Sequence, residues 1–216
     1  TVACHIQQLE NLHDKSFLDP AEPGDTPADQ LASLTLPTLR PELAAQMEAA
    51  ILAAKAEQDS VGGSIECAVF GLPAGLGSPD FGENAEGIFS QYLFAVPAVK
   101  AVGFGAGTAF SLMRGSEAND PLYVDDDGTV KGEQNCAGGI NGGITNGMPL
   151  VVRMALRPTP SIACEQPSVD LATMEETPLR INGRHDPCLA PRAIPVMEAA
   201  LACCVLDAML DTAATI

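Results

Sequence analysis

The sequence predicts an α+β layered fold built on an antiparallel sheet. Two observations lead there. Extended and helical segments do not alternate in the strand–helix–strand rhythm of a parallel sheet, and Asp125 to Gly128 places an Asp-Gly turn between two extended stretches, a hairpin signal. A third observation sets the scale: 216 residues, 46% of them hydrophobic, can bury one sizeable core, so residues 1–216 form one domain or a large piece of one. Aromatics are only 4% and Trp is absent, which leaves that core to Ala, Val, Leu, Ile and Met.

The elements follow in order. Residues 1–12 read as a short strand that starts without Met or cap, as if the chain began inside a larger protein. Residues 19–37, rich in Pro, Asp and Thr, read as a polar loop with one helical turn. Pro41 opens a helix running to about Gln58, since a first-turn Pro has no N–H to miss, and Leu43, Met47, Ile51 and Ala54 give it one apolar stripe. Ser64 to Phe70 is a strand entering the core. Residues 84–96 form a helix with Ile88, Phe89, Tyr92 and Leu93 on one side, stopped by Pro97. Val99 to Val102 is a strand, Ala106 to Met113 a short helix, and Tyr123 to Lys131 the hairpin. Met148 to Leu156 is a strand carrying Arg153, and Ala193 to Thr212 a closing helix.

A net charge of −17 excludes nucleic acid as a partner, because phosphates need compensating Lys and Arg. The placement of the charge says more than its sum. Five of the eleven basic residues, Arg153, Arg157, Arg180, Arg184 and Arg192, fall between 153 and 192, and each is an Arg, whose planar fork suits carboxylate and phosphate oxygens. Arg153 and Arg180 read equally well as solvated charge; Arg157 and Arg184, set among Pro, Gly and Thr, read as anion binders. The seven Cys include no metal-type pair, and free thiols in a reducing cytosol are expected. No signal peptide is visible, and no apolar run approaches the roughly 20 residues a membrane span needs.

Three segments carry chemistry. Gly138, Gly139, Gly142, Gly143 and Gly147 crowd one stretch; they serve either close backbone approach to a ligand or a tight turn against a helix. The stretch lacks the Gly-Lys-Ser/Thr of a P-loop and leads into a strand, which excludes a classical nucleotide fold. Arg157-Pro158-Thr159-Pro160-Ser161 offers a cation, two hydroxyls and fixed backbone N–H groups to an anion, although an ordinary strand exit looks similar. Arg184-His185-Asp186, stiffened by Pro187, sets an anion clamp beside a proton acceptor, with a structural turn as the plainer reading. His5 and His13 read as ordinary core or surface residues. No GxSxG elbow supports a Ser–His–Asp hydrolase, no second His or Cys pair supports zinc, and Asp125 to Asp127 lack the remaining calcium-ligand spacing.

Asn135 to Gly147, Arg157 to Ser161 and Gly183 to Cys188 together resemble the C-terminal half of chorismate synthase. Gly71 to Gly77, Pro97 to Val102 and Arg114 to Glu117 resemble family segments too, in the family's order. The resemblance implies a β-α-β sandwich, a cytoplasmic homotetramer, and 1,4-anti elimination of phosphate from 5-enolpyruvylshikimate 3-phosphate to chorismate with reduced FMN. It implies flavin contacts at Pro97, Ala98, Gly142, Arg157, Pro158, Thr159, Pro160, Ser161 and Arg184. Asp186 would accept a proton near the flavin, with Arg184 and His185 beside it. The family usually has Lys where Arg157 stands, so a planar fork replaces a point charge. No segment matches the family's N-terminal catalytic histidines, Arg-rich stretch or Ser-containing flavin loop. The polypeptide alone is therefore expected to show little activity and weak FMN affinity. A stand-alone flavin or phosphate-ligand module and a structural oligomerisation domain are the competing readings.

Overall fold

The computed structural model describes residues 1–126, 128 and 130–214. Strand β1 (Val2–Leu9) folds back on β2 (Leu12–His13), and a 3₁₀ turn (Leu31–Ser33) interrupts the polar stretch before helix α1 (Pro41–Ala56). Then come β3 (Gly63–Val69), α2 (Ala85–Ala95) and β4 (Val99–Phe104). A 3₁₀ segment (Gly107–Leu112) and the single turn α3 (Gly115–Ala118) precede two hairpins, β5 (Leu122–Val124) with β6 (Val130–Gly132) and β7 (Ile140–Asn141) with β8 (Ile144–Thr145). Strand β9 (Leu150–Leu156), the hairpin of β10 (Gln166–Asp170) and β11 (Glu175–Leu179), and α4 (Ala190–Ala214) complete the chain.

The α+β expectation holds. One antiparallel sheet runs in the order β2-β1-β3-β9-β4. Because side chains alternate across a strand, Cys4 and Ile6, Ile65 and Cys67, and Val152 and Met154 share one face, which packs on the helices. Helix α4 lies on it through Ile194, Met197, Leu201 and Cys204, at the three- and four-residue spacing of one helical face. Helix α2 packs beside α4 through Phe89 and Leu93. Asn84 starts α2 by accepting a 2.6 Å bond from the Gly87 N–H, and the chain turns extended at Val96 before Pro97. Helix α1 begins with Pro at its first turn, and its buried Leu43 and Met47 follow the expected stripe.

The other face of the sheet is covered by residues 14–40, and a buried ionic network holds that cover down. His5 presents Nδ1 to Asp14 Oδ2 at 3.1 Å and Nε2 to Glu66 Oε2 at 3.2 Å. Asp14 also accepts the N–H groups of Leu39 and Arg40, while Glu66 accepts from Phe17 N, Ser16 Oγ and Arg153 Nε. Burial by itself would lower the pKa of His5; its hydrogen bonds to the two carboxylates and their charges outweigh that and raise it. Burial would likewise raise Asp14 and Glu66, but the bonds to His5 prevail and hold both below the ordinary carboxylate range. Both ring nitrogens of His5 face carboxylate oxygens, an arrangement that favours its protonated form, and Arg153 is a structural ion-pair partner.

Three expectations need correction, and the expected hairpin is present. Cys4 and Cys67 form a disulfide, so the expectation that all seven cysteines are free fails for this pair. The antiparallel register sets them directly opposite each other, 4.1 Å apart at Cα, which sequence spacing cannot reveal. Helix α4 contradicts the expectation of no long apolar run: Ala190–Asp211, with mean hydropathy 1.9, is long and apolar enough to cross a membrane. Glu198 and Asp207 interrupt the run in sequence without lowering its average much, and its buried face belongs to the core. The helix expected over Ala106 to Met113 is a 3₁₀ segment with no buried residue, since it has no apolar stripe to bury. The hairpin pairs Leu122 with Gly132 through Val124 with Val130; Asp127 of its expected tip lies outside the described residues.

Candidate active site

Three chain segments meet at one end of the sheet, where β3 begins and β9 ends. The first is Gln58 to Gly62, leaving α1; the second is Arg157 to Ser161, leaving β9; the third is Arg184 to Cys188, entering α4. Backbone bonds sew them together. Val61 N–H donates to Pro187 O at 2.8 Å, Ala163 N–H to Gln58 O at 3.2 Å, and Arg157 N–H to Ala98 O at 3.0 Å. The Thr159 hydroxyl donates to Asp186 O at 2.7 Å, and the Ser60 hydroxyl to Thr159 O at 2.7 Å. Gly62 allows the approach, because a Cβ there would sit 2.8 Å from Leu156 O. Pro97 and Ala98 join this end at the start of β4, with Ala98 at φ +76°, a strained setting for a residue with a Cβ.

The junction encloses a cleft of about 400 Å³, lined among others by Lys55, Asp59, Arg184, His185 and Asp186. Its chemistry is set by which cations are free. Lys15, Arg40, Lys131, Arg153 and Arg192 are in ion pairs with carboxylates. Among the described residues, Lys55, Lys100, Arg114, Arg157, Arg180 and Arg184 make no ion pair. All but Arg114 gather at this end: Lys55 and Arg184 line the cleft, Arg180 bonds the Gln58 side chain at 2.9 Å, Arg157 sits on the adjoining segment, and Lys100 follows Ala98 on β4. In a chain of net charge −17, such a concentration of unneutralised positive charge focuses attraction for anions.

The predicted residues divide by role. Arg157 and Arg184 are exposed and, among the described residues, their guanidinium groups have no hydrogen-bond partner. Asp186 keeps its carboxylate at the cleft, bonded to Arg192 Nη1 at 2.8 Å. His185 has both ring nitrogens engaged inside the loop: Nε2 donates to Ile181 O, a pure acceptor, at 3.2 Å, and Nδ1 lies 3.3 Å from Ser161 Oγ. These two contacts make His185 a brace of the loop. Pro158, Thr159, Pro160 and Ser161 form the rigid wall between Arg157 and the loop of Asp186. Gly142 stands elsewhere. It turns the β7–β8 hairpin beside the first residue of α2, where Ala85 N–H donates to Gly143 O at 2.8 Å. Ala98 is at the far end of that 11-residue helix, roughly 16 Å away at 1.5 Å per residue. One flavin touching both would have to run the length of α2 or receive Gly142 from a second copy. The glycine crowding itself has a packing cause: a Cβ on Gly138 would meet Gly105 N at 2.3 Å, and one on Gly143 would meet Ser78 O at 2.6 Å.

Sequence reasoning missed Lys55, Asp59 and Arg192 as site residues. Only the docking of the α1 terminus against the Arg184 loop brings the first two in, and Arg192 carried no signal beyond its place in the Arg-rich stretch.

The family model for chorismate synthase matches residues 1–210. A chorismate synthase of Methanothermobacter thermautotrophicus is 47% identical over 170 residues, covering 79% of this chain and 45% of that protein. One of Dehalococcoides mccartyi is 51% identical over 168 residues, covering 77% of this chain and 45% of the relative. The chain thus spans about half the length of the curated relatives it matches. A solved structure described as "Crystal Structure of Chorismate Synthase" superposes with a TM-score of 0.77 at 25% identity, over 98% of this chain and 57% of that one.

Proposed function

The chain belongs to the chorismate synthase family, and from that premise we propose that it is the C-terminal portion of an enzyme that eliminates phosphate from 5-enolpyruvylshikimate 3-phosphate to give chorismate. The observation that carries the proposal is the gathering of free cations in and around the cleft beside Asp186, with Lys55 and Arg184 in its lining and Arg157 on the adjoining segment. The substrate bears a phosphate and two carboxylates, and departing phosphate leaves with additional charge; guanidinium groups not neutralised internally stabilise both. Arg157 and Arg184 supply them here.

The residues also suit reduced FMN. Free guanidinium groups can meet its phosphate, and a carboxylate at the cleft can meet its ring nitrogens. Arg157, Thr159, Ser161 and Arg184, with the backbone of Pro97 and Ala98, would hold it; when bound it supplies electron density that lowers the barrier to loss of phosphate in a reaction without net redox change. This chain's own tasks are simpler. Asp186 accepts the proton removed during elimination, in a loop whose backbone is fixed by Thr159, Val61 and Pro187. His185 braces that loop, and the wall of Pro158 and Pro160 keeps Arg157 in place. Gly142 serves a flavin only from the other end of α2 or from another copy.

Family membership also favours a cytoplasmic homotetramer. Leu122, Val124 and Val130, exposed on the β5–β6 hairpin, offer apolar surface of the kind oligomers cover. More than half of the relatives' length lies outside the matched region. We therefore expect little or no turnover from the 216-residue polypeptide by itself. The assay is chorismate formation with chemically reduced FMN, run on this polypeptide and on the complete gene product. Turnover in the complete product alone supports the reading; flavin binding without turnover in either identifies a binding module instead.

A further inference from the structure

We propose that Arg192, in the first turn of α4, is a positioning residue for Asp186, an inference that rests on the proposed role of that carboxylate. The backbone of Asp186 and Pro187 and the ring of His185 are fixed by other contacts. The Asp186 carbonyl accepts from the Thr159 hydroxyl at 2.7 Å, the Pro187 carbonyl from Val61 N–H at 2.8 Å, and Pro187 restricts the residue before it. His185 is held at both ring nitrogens. What these contacts leave undetermined is the Asp186 side chain, whose two torsions would otherwise be free to turn. A single charge-assisted bond addresses it: Arg192 Nη1 to Asp186 Oδ2, 2.8 Å. With Oδ2 taken, Oδ1 has no partner among the described residues and can accept at the cleft. Arg184, two residues before Asp186, has no partner among the described residues, so the two arginines divide the work: Arg184 stays open to a ligand while Arg192 is committed to the carboxylate.

The pair is not there for stability. Arg192 and Asp186 are 63% and 28% exposed, and ion pairs at such exposure contribute little to folding. A guanidinium committed to a carboxylate at the mouth of the anion cleft is better explained by orientation. This is also the feature that separates Arg192 from Arg153, whose partner Glu66 is fully buried and whose role is structural.

The test is a double-mutant cycle in the complete gene product, with Arg192→Met, Arg192→Lys and Asp186→Asn. Arg192→Met should lower kcat by about tenfold or more, change KM for the phosphorylated substrate by less than about twofold, and leave the thermal midpoint in place. Arg192→Lys should recover most of the loss, since it keeps a cation in reach. In the Asp186→Asn background Arg192→Met should cost nothing further. An equal loss in both backgrounds, or none in either, overturns the inference. Normal turnover in Asp186→Asn alone would instead remove the proposed role of Asp186. If Asp186→Asn leaves no measurable turnover, the same cycle is read on the dissociation constant of reduced FMN, with the same additive or non-additive outcome deciding.

Discussion

Glu66→Gln is the sharpest perturbation of the architecture, because the change is isosteric and the site is closed. Glu66 is fully buried, and its two oxygens each serve two donors: Oε1 faces Arg153 Nε and Ser16 Oγ, and Oε2 faces His5 Nε2 and Phe17 N. A glutamine amide placed either way turns its NH₂ toward one of these donor pairs and removes the charge that balances His5 and Arg153. Breaking a buried ion pair from one side costs about 3–5 kcal/mol, and the loss here belongs at the upper end because an orphaned donor pair is added to an uncompensated cation. Urea unfolding of the chain at neutral pH measures it. The pH profile adds a signed check. His5, raised above its ordinary 6.5, contributes stability that is present below that pH and is lost as pH rises through its folded value. Asp14 and Glu66, lowered from 3.8 and 4.5, contribute stability that is present above those values and is lost as pH falls through their folded ones. Stability should therefore peak between about 4.5 and 6.5. The alkaline decline should shrink in Glu66→Gln, where His5 has lost a carboxylate. A variant within about 1 kcal/mol of the parent, or an unchanged alkaline decline, would refute the network as described.

Two further outcomes follow from the packing. Under native, non-reducing conditions iodoacetamide should label Cys164 and Cys203, which are exposed, and spare Cys188 and Cys204, whose thiols burial pushes up, Cys204 to about 12; after denaturation without reductant, peptide mapping should find Cys4 joined to Cys67, and free thiols at that pair would contradict the disulfide. Gly138→Ala should destabilise the chain by more than about 2 kcal/mol in urea titration, since its φ is +66° and the new Cβ would meet Gly105 backbone; a loss below about 0.5 kcal/mol would show that the turn yields freely.

The legible parts of this chain were those written locally. Pro41 and the Leu43–Met47 stripe mark α1, Asn84 and Pro97 bracket α2, and the Asp-Gly turn marks the β5–β6 hairpin. The β10–β11 hairpin was not legible, because every residue of β11 is exposed and no alternation of buried and solvent positions marks it, while Pro167 and Pro178 argue against a strand. The His5 network was hidden for a different reason: residues 5, 14, 66 and 153 are distant in sequence and meet only through sheet register. The site shows both limits at once. Arg184 and Asp186 announce themselves within one short motif, and the density of arginines between 153 and 192 pointed toward an anion site. Yet Arg153 is committed to a buried carboxylate and Arg192 to Asp186, while Lys55 and Lys100 reach the same end of the sheet from other elements. Which cations are free is a property of the fold.

That point gives the most direct test of the account. The affinities of the complete gene product for reduced FMN and for 5-enolpyruvylshikimate 3-phosphate should be compared across Arg157→Met, Arg184→Met and Arg114→Met, three removals of a free cation of which only the first two lie at the proposed site. The account predicts at least one affinity weakened by about tenfold or more for each of the first two, as expected for losing a charge-assisted contact, and no change for the third. Equal effects from all three, or none from Arg157 and Arg184, would contradict it.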